Sequence, residues 1–89
     1  MAVNDLIMLS AQYEHIRFLL HHHLTKTAVY RCCTNSSGDD LGEVRWYAPW
    51  RQYCFFPFTN TVFSKGCMED INTFITKLMD DRAAVRRAK

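Results

Sequence analysis

Between Asn4 and Leu24, apolar residues recur at Leu6, Leu9, Tyr13, Ile16 and Leu20, in alternating steps of three and four. That spacing predicts an amphipathic helix over residues 4–24. Asn4 supplies an N-cap and Asp5 a carboxylate in the positive first turn. Ile7, Phe18, Leu19 and Leu24 broaden the stripe beyond a narrow seam, which favours packing on a sheet over a free coiled coil. From Thr27 the chemistry shifts to strand formers. Residues 28–34 and 41–47 flank the turn-forming run Asn35-Ser36-Ser37-Gly38-Asp39-Asp40 and read as a hairpin. Pro49 cannot join a ladder and marks a second tight connection, and residues 51–56 return as a third strand that Pro57 stops. Ser64 caps a second helix, 64–80, with Cys67, Ile71, Phe74, Ile75, Leu78 and Met79 on one side. The basic tail 82–89 has a weak apolar stripe and is expected to fray.

The order α-β-β-β-α predicts an α+β, two-layer fold: a three-stranded antiparallel sheet over 27–57 with helices on one face. At 89 residues the chain is one domain, 1–89, since a second core needs about as many residues again. A hydrophobic share of 48% is too high for a disordered tail, while charged residues interrupt every apolar run short of a membrane span. Eleven Lys and Arg against nine Asp and Glu give a net +2, which prescribes no particular partner.

Four cysteines without a secretory leader pattern point to a reducing compartment, and the expected location is the cytoplasm. Cys32 and Cys33 on a strand face opposite ways, there is no CxxC, and His21, His22 and His23 have no fixed ligand spacing to them. No metal, no cofactor and no catalytic residue is expected. The chain lacks a Gly-rich phosphate loop, GxSxG and HExxH, and its acidic pairs fall in turns and helix ends, so it does not read as an enzyme.

The stretch 42–57 is the densest in aromatic and basic residues. If Val44 and Trp46 face the core, Arg45 and Tyr47 face away, and Arg31, Arg51 and Tyr53 join them on an open sheet face. Arg31, Arg45, Tyr47, Arg51 and Tyr53 are therefore the candidate binding residues. Such a face stacks bases or apolar groups and pairs phosphates or carboxylates. It equally suits Arg and Tyr side chains that simply cover the sheet and stack on one another.

The segment 41–78, LGEVRWYAPWRQYCFFPFTNTVFSKGCMEDINTFITKL, resembles a family of small uncharacterised bacteriophage and mobile-element proteins, with a Trp-rich hairpin followed by an amphipathic helix. The order of elements is also similar to double-stranded-RNA-binding domains and to the arm-type DNA-binding domains of phage integrases. The last helix departs from the former: it opens Ser64-Lys65-Gly66-Cys67-Met68-Glu69-Asp70, and acidic residues there repel a phosphate backbone. Together with the small size and the missing catalytic motifs, the phage resemblance implies a non-enzymatic accessory protein in the cytoplasm of a bacterial host cell that binds a host or phage protein, as an inhibitor of a host function. The alternative is a nucleic-acid-binding module using the sheet face. No membrane contact is expected, and the chain is a monomer or a dimer through the N-terminal helix.

Overall fold

A computed structural model describes residues 9–87. They form a five-stranded antiparallel meander, β1 (Ser10–Gln12), β2 (Ile16–His23), β3 (Ala28–Thr34), β4 (Asp40–Tyr47) and β5 (Gln52–Pro57), in that spatial order, followed by one helix, α1 (Lys65–Arg87). The expected three-stranded sheet with two helices on one face is thus replaced by five strands with a single helix on one face. A dimer through an N-terminal helix falls with it, because residues 16–23 are a strand; positions 4–8 of that expected helix lie outside the described residues.

The reason for the misreading lies in the periodicity itself. Ile16 and Leu20 are four apart, so they share a face in a helix and equally in a strand, where every second residue does. Phe18 separates the two geometries. Counting it with the helical stripe is mistaken, since two residues on from Ile16 it would lie on the opposite side of a helix; in the strand it is fully buried between buried Ile16 and half-buried Leu20, while Leu19 is 40% exposed. What holds the chain extended is remote in sequence. The Tyr13 amide donates to the Ile16 carbonyl at 2.9 Å, closing a turn between β1 and β2. The Asn35 side-chain amide donates to the Tyr13 carbonyl at 2.7 Å, the Asn35 backbone amide to the His15 carbonyl at 3.1 Å, and the His15 amide to an Asp70 carboxylate oxygen at 3.2 Å.

Strands β3 and β4 fall where the hairpin was expected. The 3₁₀ turn Ala48–Trp50, with Pro49 inside it, joins β4 to β5. Ser64 caps α1, its hydroxyl accepting the Cys67 amide at 3.1 Å. The helix does not stop near residue 80 but runs to Arg87, so the expected fraying is absent for residues 82–87; residues 88–89 lie outside the described part. Arg82 explains the extension: its guanidinium lies 4.2 Å from the Trp46 ring centre and donates to the Lys26 carbonyl at 3.0 Å.

Ile71, Phe74 and Leu78, on one stripe of α1, close the core against Ile16, Phe18, Ala28, Tyr30, Cys32, Val44 and Tyr53. Phe74 is its centre, stacked on Phe18 at 4.1 Å and meeting Tyr30 edge-on at 5.0 Å. The helix also meets the outer edge of β5, where the Tyr53 amide donates to the Met79 sulfur at 3.4 Å. Among the described residues no helix is long and apolar enough to cross a membrane.

Candidate functional site

The strand pairing lays one cross-strand row on the uncovered face: Leu19 beside Arg31, Arg31 beside Glu43, and Glu43 beside Phe56. Glu43 is the hub of its charges, with carboxylate oxygens 3.6 Å from Arg31 Nη2 and 3.6 Å from Arg45 Nε. Arg31 Nη1 also donates to Asp40 at 3.1 Å. Rings fill the spaces between. The Arg45 guanidinium sits 3.7 Å from the Phe56 ring centre, and that of Arg31 lies 5.3 Å from Phe58. Tyr47 meets Phe56 at 6.0 Å and Trp50 at 5.0 Å, both edge-on.

Three of the five candidate residues, Arg31, Arg45 and Tyr47, are therefore brought together as expected. Arg51 is not on a strand. It closes the β4–β5 corner in the left-handed conformation, φ 53° and ψ 47°, its amide donating to the Ala48 carbonyl, with the residue exposed at the end of the sheet. Tyr53 lies on the opposite face. It pairs with Trp46, is only 7% exposed, and its hydroxyl accepts the Ala28 amide at 3.2 Å. The cause is the length of the corner: residues 48–51 are the loop, so Tyr47 pairs with Gln52 and Tyr53 falls on the Trp46 side. By the same alternation Phe56 belongs to the open face, and Phe58, just past the strand, packs there with Arg31. Both were overlooked in the sequence, although counting every second residue back from the core side of β5 reaches Phe56.

Electrostatically the face is close to balanced, because Arg31 and Arg45 have Asp40 and Glu43 beside them. An incoming phosphate must compete with carboxylates already in place. Cys32 and Cys33 do face opposite ways: Cys32 is in the core, and the Cys33 thiol points to Asp40 at 3.4 Å. Burial, and then the hydrogen bond to Asp40, push the Cys33 thiol above its ordinary range, which keeps it protonated and a poor nucleophile. Among the described residues no group of three or more His, Cys, Asp or Glu is gathered to hold a metal ion.

No family model matches the chain, and no solved structure matches it. It is similar to an uncharacterised 9.3 kDa protein of Acholeplasma phage L2, with 36% identity over 42 residues, 47% of this chain and 54% of that protein. The chain thus spans about half the length of the curated relative it matches. This similarity supports the resemblance to small phage proteins. Neither the RNA-binding nor the integrase likeness gains support from these comparisons.

Proposed function

We propose that the chain is a non-enzymatic accessory protein of phage type that binds a host or phage protein inside the bacterial cell through its open sheet face, and that it acts as an inhibitor of a host function. Arg31, Arg45, Tyr47 and Phe56 are the contact residues. The observation that carries this reading is the guanidinium of Arg45 laid on Phe56 at 3.7 Å, with Tyr47 braced against the same ring. Stacking fixes these side chains before a partner arrives, so less rotamer freedom is lost on binding, and Tyr and Arg are the residues that dominate protein interfaces. The nucleic-acid alternative has less support, since the two arginines that would meet phosphates already face Glu43 and Asp40. The similarity to a small uncharacterised phage protein supports the phage part of this reading.

The test is capture from bacterial lysate with the parent and with Arg45→Ala and Tyr47→Ala side by side, after nuclease treatment. One protein retained by the parent and lost by both variants, at unchanged melting temperature, is the expected result. Parent and variants retaining the same proteins, or DNA binding that falls steeply with salt, would count against it.

A further inference from the structure

Antiparallel strands put the ends of β2 and β4 at the same end of the sheet as the starts of β3 and β5, and among the described residues that end gathers most of the positive charge without an acidic partner. Lys26 lies in the β2–β3 hairpin, Arg51 at the β4–β5 corner, and Arg86 and Arg87 in the last turn of α1; all four are exposed. The bond from Arg82 to the Lys26 carbonyl places the helix terminus beside that hairpin. Asp80 and Asp81 are the nearby acids on the helix, and Asp81 is held by Lys77 at 3.0 Å. The far end of the sheet leans to the opposite sign, with Glu14, Asp39, Glu69 and Asp70 at turns or in the first turns of α1 and Asp40 paired to Arg31, against Lys65 and Arg17. The molecule is therefore electrically polar along its strands.

Each of the two turns at the positive end also exposes an apolar side chain. Leu24 at the β2–β3 turn is 51% exposed and Trp50 at the β4–β5 corner is 67% exposed. Two inter-strand spacings separate the two turns, about 10 Å at roughly 4.8 Å each. We infer that this end docks on an anionic lipid bilayer, with Leu24 and Trp50 entering the headgroup region and Lys26, Arg51, Arg86 and Arg87 pairing with lipid phosphates and carboxylates. Charge complementarity selects an acidic surface. The apolar tips select a bilayer among acidic surfaces: a Trp ring at the headgroup level keeps its indole N–H wet while its body is buried, and Leu24 gains nothing from a phosphate backbone. This departs from the expectation of no membrane contact, which rested on the lack of an apolar run long enough to span a bilayer. It stands apart from the open-face reading, because neither Arg45 nor Tyr47 takes part.

The probe is co-sedimentation with vesicles of equal parts phosphatidylserine and phosphatidylcholine, and with pure phosphatidylcholine vesicles, together with tryptophan emission. The parent should bind the anionic vesicles with a blue shift and leave the neutral ones in solution. Lys26→Ala or Arg51→Ala should each weaken binding about fivefold, and the double change Arg86→Glu with Arg87→Glu by more than about 25-fold. Trp50→Ser should remove the blue shift and weaken binding by about tenfold or more. All these residues are exposed, so melting curves should match the parent's. Failure of the parent to bind anionic vesicles, or binding indifferent to all these changes, would overturn the inference. So would binding to duplex DNA, single-stranded RNA or polyglutamate without binding to vesicles.

Discussion

On the helix side of β3, Tyr30 and Cys32 lie in the core, against Phe74 and its neighbours; on the other side of the same strand Arg31 faces Asp40, Glu43 and Phe58. Both sides obey the same two-residue alternation, yet they are finished by different physics. The covered side is held by ring packing that excludes water, where every methylene counts. The open side is held by charge pairs and cation–ring stacks in contact with water, each worth about 1 kcal/mol or less. Stability should therefore reside on one side of the sheet, and the other side should tolerate change.

The largest effect tests the covered side. Phe74→Ala removes the ring that stacks on Phe18 and meets Tyr30, and should cost roughly 3 to 5 kcal/mol in a denaturant titration, a large fraction of the stability of a small domain. An unchanged midpoint would break the comparison at its centre.

Gly42 comes next. A Cβ there would stand 2.5 Å from the Phe56 carbonyl oxygen and 2.7 Å from the Phe55 ring. A backbone oxygen within a ladder yields little, so Gly42→Ala should cost about 1 to 3 kcal/mol. A neutral result in thermal melts would mean that the β4–β5 seam moves apart more easily than its packing implies.

Alkali probes the same side without mutation. Burial, and then the nearby Tyr53 and Asp81, push the Tyr30 hydroxyl up to about 12, and burial, with Cys33 next, pushes the Cys32 thiol up from 9.0 to about 12. Between the unfolded and folded values the unfolded chain holds fewer protons, so stability falls as pH rises. It should be fully present below about pH 9 and decline steadily towards pH 12, read as a falling melting temperature. A melting temperature that stays level over that range would show that the two groups titrate as if exposed.

The smallest effect belongs to the open face. Glu43→Gln breaks both ion pairs of the hub, at distances of 3.6 Å, and should change stability by less than about 1 kcal/mol. A loss comparable to that of Phe74→Ala would erase the distinction between the two faces.

The sequence disclosed each part of this architecture to the extent that its determinants were local. Strand β3 and its turn were legible because Thr27 to Gly38 carries its own propensity and punctuation, and α1 because Ser64 and the spacing of Ile71, Phe74 and Leu78 lie within a few turns. Strand β2 was not, because a four-residue spacing serves both geometries and the deciding bonds come from Asn35 and Asp70. Arg31, Arg45 and Tyr47 were legible from alternation alone. Tyr53 was placed on the wrong face because the parity of a strand depends on how many residues its turn consumes, and no residue type at the corner reports that number. The last turns of α1 owe their order to Arg82 lying on Trp46, a contact that appears only once the sheet is assembled.

The Met79 sulfur at the Tyr53 amide has a consequence for how this sheet ends. The Phe58 amide bonds inward to the Leu41 carbonyl, so by alternation the amides of Tyr53 and Phe55, and position 57, point away from β4. Position 57 is proline and has no amide to give, and the Tyr53 amide is occupied, which leaves Phe55 as the one outward position with neither device. A border so closed is a poor template for a foreign strand, which needs a repeating series of donors. Growth of the sheet into ribbons or fibrils is disfavoured along this border, so the rings exposed beside it, on the face and at the corner, do not adjoin a backbone edge ready to recruit a second copy.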